Sequence, residues 1–135
     1  MRPCRISIDR EREGVFSPFS QVDATPIEGS SSSSPKTHYV IVRDDLPKGV
    51  LAAHILHAAG ESGQAPAGSI AVALAVPSEA DLLRAAARLD ARGIAYVLIR
   101  ENAGPFDGQA TAIGIPPTTD RSAIRRATSA LPLVR

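Results

Sequence analysis

Two histidines three residues apart, His54 and His57, sit in the apolar run PKGVLAAHILHAAG at residues 47–60. Residues i and i+3 of a helix share a face, so the two imidazoles form one feature. An imidazole titrates near ~6.5, which suits general acid–base chemistry at neutral pH. Two such rings can also begin a metal site, but that needs further ligands and the neighbouring sequence offers no evident third. No metal and no cofactor is expected. The structural alternative is that each ring is partly buried and hydrogen-bonded to backbone or to a carboxylate. Asp44 and Asp45 are the partners in reach, and Arg43 competes for one of them.

The same run opens on Pro-Lys-Gly. Free backbone N–H groups and the helix dipole make a helix N-terminus attractive to an anion. Gly49 lets a ligand approach the backbone, and Lys48 adds a mobile charge beside it. A phosphate, or a carbonyl gaining negative charge, fits such a turn. An exposed first turn with no ligand accounts for the same residues.

These groups need a scaffold, and the hydrophobic pattern supplies one. HYVIVR (38–43) is a short β-branched run and reads as a buried strand. Pro47 is suited to a first helical turn, and Gly60 or Gly63 to the helix end. SIAVALAV (69–76) is a second strand, closed by Pro77. Ser78 caps a helix whose apolar stripe is Leu82, Leu83, Ala86 and Leu89, with Gly93 in the C′ position. IAYVLIR (94–100) and QATAIGI (109–115) are two more strands, and PPTTDRSAIRRATSAL holds a last helix starting near Thr119 or Asp120. The order β-α-β-α-β-β-α predicts an α/β fold: a three-layer α/β/α sandwich around a four-stranded mixed, mainly parallel sheet.

Residues 1–37 differ in character. A charged patch gives way to Ser, Pro and Gly ending in EGSSSSSPK, which buries too little apolar surface to offset its ordering entropy. They read as a flexible low-complexity leader in which RISI or GVFSPF can form a short docked piece, and 38–135 as the domain. The chain of 135 residues is 44% hydrophobic and 21% charged, as soluble globular domains are. A net charge of +1 argues against a dedicated DNA-coating protein without excluding a local basic face. One cysteine, Cys4, rules out an internal disulfide framework and a cysteine zinc site. No apolar run approaches the ~18 residues that span a bilayer, so no membrane partner and a cytoplasmic location are expected.

With these elements in order, YVIVRDDL followed by KGVLAAHILHAAG resembles the opening of the type II peptidyl-tRNA hydrolases. In that family a strand leads into R-x-D-L, a Gly/Lys-rich turn and K-V-A-A-Q-x-x-H-A-A. The match falls on Arg43, Asp45, Leu46, Gly49, Ala52, Ala53, His57, Ala58 and Ala59. Later, LIRENAG and ATAIGIPP resemble the family's L-I-x-D-A-G and T-x-L-G-I-G-P. The resemblance covers about residues 38–135. It implies a four-stranded mixed sheet between helical layers and metal-free hydrolysis of the ester joining a peptide to the 3′ end of tRNA. Members are often dimers, so a homodimer is the oligomer it implies.

The departures are specific. Val50 stands where the family has lysine, the nearest lysine being Lys48. His54 stands where it has Gln, and Asn102 where it has an acid, with Glu101 adjacent. The combination resembles the divergent peptidyl-tRNA hydrolase domain-containing branch, in which the catalytic set is altered. On that basis His54 or His57 is the expected base. Asn102 and the N–H groups near Lys48 and Gly49 hold the oxyanion, and Thr111 lines the site. Asp45, Glu101 and Phe106 face substrate. Arg84, Arg88 and Arg92, four residues apart, and Arg125 of the Arg121/Arg125/Arg126 cluster are candidates for tRNA phosphates; a solvated helix face accounts for them equally well. The alternative functions are a catalytically impaired tRNA- or protein-binding module of the same fold, and an esterase or amidase for a small acylated molecule.

Overall fold

The computed structural model describes residues 6–9 and 35–135. In chain order its elements are β1 (Ile6–Asp9), β2 (Thr37–Arg43), α1 (Lys48–Ser62), β3 (Ile70–Val76), α2 (Glu79–Ala91), β4 (Val97–Glu101), a 3-10 turn (Gly104–Phe106), β5 (Ala110–Thr118) and α3 (Ser122–Thr128). The molecule is α/β with a mixed sheet, as the residue pattern implies. Cys4 and most of the stretch read as a leader lie outside the described residues. Within that stretch, Ile6–Asp9 runs antiparallel along β4 and makes a fifth strand.

The strand order is β1-β4-β5-β2-β3. β2 and β3 are parallel, whereas β5 is antiparallel to both β2 and β4. The expectation of a mainly parallel sheet is therefore corrected at the level of pairing. β2, β3 and β4 point the same way because helices carry the chain back between them. The connection from β4 to β5 is too short for a crossover, so β5 returns antiparallel and inserts between β4 and β2.

Each face of the sheet has its own core. Tyr39, Ile41, Leu74, Leu98, Ile113 and Ile115 pack against Leu82, Ala85, Ala86 and Leu89 of α2 and Ile124 and Ala127 of α3. On the opposite face Val40, Val42, Ile99 and Ala112 meet Ala58 of α1, with Val50, Leu51 and Ile55 partly buried beside it. Fully burying an aliphatic side chain is worth about 1.5–3 kcal/mol, and Ile41, Leu82, Leu89, Ile99 and Ile113 are all fully buried. Helices thus cover both faces. α1 lies so close to β5 that a Cβ on Gly114 would collide with the Ala58 carbonyl oxygen and the Ser62 side chain.

Several boundaries differ from the pattern, each for a local reason. α1 continues through Gly60 and stops before Gly63, whose φ is 136°. In α2 Ala85 is buried and Leu83 is 39% exposed, so the stripe is rotated slightly from the expected one. Gly93 (φ 67°) closes α2 with its N–H on Asp90 O and the Ile94 N–H on Leu89 O, a Schellman closure. Ile94 is thereby committed to the helix end, and β4 starts only at Val97. β5 runs on through Pro116 and Pro117 to Thr118. Its pairing with β4 ends at Gly114, so the missing proline N–H groups forfeit no bond on that side. The last helix begins at Ser122, after Asp120 has accepted bonds from the Ser122 N–H and hydroxyl. The tail beyond it lines the free edge of β3, with Ala75 N–H on Pro132 O and Val134 N–H on Ala73 O, both 2.8–2.9 Å.

Candidate functional site

α1 places every fourth residue on β5, so His54, Ala58 and Ser62 form its buried row. His54 is fully buried. Its Nε2 lies 3.2 Å from Glu101 Oε2 at the end of β4, and its Nδ1 lies 2.8 Å from Thr111 Oγ1 on β5. A bulge directs Thr111 there: Ile99 pairs with Ala112 and Arg100 with Ala110, leaving Thr111 as the extra residue. Burial pushes the His54 imidazole below its usual 6.5, and the repulsion of His57 and Arg43 adds to this, while Glu101 pulls the other way. Burial wins, so the ring is neutral at neutral pH. Nε2–H then donates to the Glu101 carboxylate, and the Thr111 hydroxyl donates to Nδ1. Its alternative acceptor, Ile99 O, is farther at 3.3 Å.

Glu101 is itself buried, at 3% exposure. Its second oxygen accepts the Asn102 N–H at 3.0 Å, so one carboxylate ties α1 to the loop that follows β4. The Asn102 side chain is exposed at the start of that loop. Phe106, in the 3-10 turn, is half-buried and packs into the α1-side core. The turn opening α1 and the Asn102 loop lie at the same end of the sheet, because β2 and β4 run the same way.

Arg43 secures that junction. Its Nε and Nη2 reach the two oxygens of Asp45 at 2.8 Å each, and its Nη1 reaches Gln109 Oε1 at 2.8 Å and Ala110 O at 3.2 Å. The guanidinium carbon stands 6.0 Å from the centre of the Phe106 ring. The bidentate hydrogen bond to Arg43 holds the Asp45 carboxyl below its usual range and the Arg43 guanidinium above its own. Both Asp45 oxygens are thus engaged by the protein rather than offered to a ligand.

The two histidines part company. His57 is exposed on α1, its ring centre 6.4 Å from that of His54. Lys48 and Gly49 are exposed in the first turn of the same helix, where no side chain caps the free N–H groups. Of the residues singled out from the sequence, His54, Glu101 and Thr111 form one sealed cluster, Asn102 and His57 stand at its border, and Asp45 and Phe106 belong to the adjoining Arg43 junction. Arg84, Arg88, Arg92 and Arg125 are exposed on α2 and α3 or at their ends. Those helices cover the other face of the sheet, so the arginines are not gathered around His54. Gln109 and Glu79, whose carboxylate receives the Ala110 N–H, carried no sequence signal, because their partners come from distant elements. A second buried imidazole, His38, meets Ser62 Oγ at 2.7 Å at the far end of α1. Among the described residues no three of His, Cys, Asp and Glu gather to hold a metal.

The Glu–His–Thr connectivity is that of a nucleophile relay, but Thr111 has no exposure. A sealed hydroxyl reaches no external carbonyl, so the relay orients and supports its surroundings. Beside this relay His57 presents an exposed imidazole. No protein-family model matches the chain, and no curated protein matches it.

Proposed function

We propose that the protein hydrolyses the ester between a peptide, or an N-blocked amino acid, and the 3′ end of tRNA. The chemistry is that of the type II peptidyl-tRNA hydrolases that the sequence resembles, carried on an altered set of residues. One observation carries the reading: an exposed imidazole, His57, stands 6.4 Å from the His54 ring of the buried Glu101–His54–Thr111 relay, whose carboxylate also accepts the Asn102 N–H. In this reading His57 takes a proton from water as the water oxygen bonds to the ester carbonyl carbon. The Asn102 amide holds the oxygen that becomes negative, while Lys48 and Gly49, about 12 Å back along α1 from His57, face another part of the substrate. The C–O bond to the ribose then breaks, and the proton passes to the departing 3′ oxygen. His54 does not touch substrate and acts as a positioning residue for α1 and Asn102.

The sealed His54 and Thr111 also favour a second reading, a binding module of the same fold without turnover. Incubating the protein with peptidyl-tRNA and with a small N-acyl-aminoacyl ester separates the two. Cleavage of peptidyl-tRNA supports the hydrolase, binding without cleavage supports the module, and cleavage of the small ester alone refutes both in favour of a small-molecule esterase.

A further inference from the structure

A groove of about 790 Å³ opens on the face of the sheet away from His54, and Arg92, Arg121, Arg125 and Arg126 line it above a floor that includes Val72 and Leu74. Arg92 is the C-cap residue of α2, and the other three come from α3 and the residue before it. All four are exposed. Among the described residues none of them makes an ion pair. Arg121 donates only to a neutral acceptor, the Tyr39 hydroxyl, at 3.3 Å. Asp120, one residue before Arg121, has its Oδ1 engaged with Ser122 and is only weakly coupled to Arg126, the last among the causes that hold its carboxyl below the usual range. Arg84, by contrast, is held by Asp81 at 3.1 Å and does not line the groove.

Four cations around one concavity, none of them in an ion pair among the described residues, repel one another until an anion enters. Each guanidinium offers a planar fork that matches phosphate or carboxylate oxygens. Satisfying four forks with carboxylates takes several acidic side chains, whereas linked phosphates bring the same charge in a smaller space. We propose that this groove is a phosphate-recognising site, taking the phosphates of a nucleotide or of an RNA strand. Tyr39 is nearly fully buried and presents no ring for a base to stack on, so recognition is through phosphates and is indifferent to base sequence. The site stands apart from the hydrolase reading and does not require it.

The test uses the full chain with three probes: a single-stranded RNA of about ten nucleotides, ATP, and a Glu-rich peptide. Affinities are followed by anisotropy and displacement between about 50 and 200 mM salt. Four contacts predict a slope of log K against log salt near −3 for the RNA, at about −0.7 per contact. Arg125→Gln with Arg126→Gln is expected to weaken RNA or ATP at least ~10-fold and to flatten the RNA slope by about 1.4. Arg92→Gln, from the other helix, is expected to flatten it by about 0.7, and Arg84→Gln with Arg88→Gln to change affinity less than ~2-fold. Thermal melts confirm that each variant is folded. The tighter of RNA and ATP identifies the source of the phosphate. The proposal is overturned if neither binds, if the Arg84/Arg88 pair matters as much as the groove, or if the Glu-rich peptide binds most tightly.

Discussion

At the residue scale the molecule turns on the different fates of two imidazoles one helical turn apart. His54 is neutral, sealed and bonded at both nitrogens. Removing it with His54→Ala takes the imidazole partner from a buried carboxylate and a buried hydroxyl and leaves a cavity, an expected loss of about 3 kcal/mol in denaturant unfolding. His54→Gln offers one donor and one acceptor in the same sense and is expected to keep most of that stability. The pH dependence follows from the lowered imidazole value. Between the usual 6.5 and the folded value the unfolded chain binds the extra proton, so stability is full above about 6.5 and falls as pH drops below it. His38, also lowered by burial, contributes in the same direction. Asp45 adds a further loss only as pH falls below its usual 3.8. Denaturant midpoints measured from pH 8 to 5 are expected to decline for the native chain and to decline less for His54→Gln; equal slopes would contradict the neutral assignment. The residue pattern made both histidines visible, and Asn102 and Thr111 entered only through the resemblance to the hydrolases. It did not reveal which imidazole is buried, because α1 carries Ala on several sides and its buried row is decided by the approach of β5.

At the element scale the decisive contact is α1 on β5. Gly114 permits it, and Gly114→Ala inserts a methyl where the Ala58 carbonyl and Ser62 already stand. Overpacking of this kind costs typically about 1–3 kcal/mol, and here the helix backbone must move. A thermal melt is expected to show that loss together with a changed His54 ring environment by NMR; an unshifted melt would mean that α1 is less constrained than its contacts imply. Local signals served well where the determinant is local. Ser78 accepts the Asp81 N–H as a cap, and Gly93 closes α2. They failed where partners decide. β5 passes through two prolines because its pairing with β4 has already ended, and its insertion between β4 and β2 was hidden because strand order is not written in periodicity. The Thr111 bulge, which brings that hydroxyl to His54, left no mark in the sequence for the same reason.

At the scale of the whole molecule the two faces of the sheet divide the labour. The α1 face carries the histidines and the Asn102 loop, and the α2–α3 face carries the arginine groove. The tail beyond α3 closes the β3 edge through Pro132 and Val134. Deleting residues 131–135 uncovers Ala73 O and Ala75 N–H, and an uncovered edge strand recruits another chain. Light scattering is expected to show greater self-association of the truncated chain than of the intact one. The α/β class was legible because three strands and two crossover helices follow one another with clear punctuation. The convergence of four arginines was only half visible, since Arg92 is remote in sequence from the α3 cluster. The central claim is hydrolysis at His57, and its most direct test is single-turnover cleavage of an N-blocked aminoacyl-tRNA by the native protein and by His57→Ala. The account predicts release of the blocked amino acid by the native protein. It predicts a loss of about 10²–10⁴-fold in the variant, with RNA binding retained. A native protein that binds the substrate and leaves the ester intact, or a variant that cleaves as fast, would contradict it.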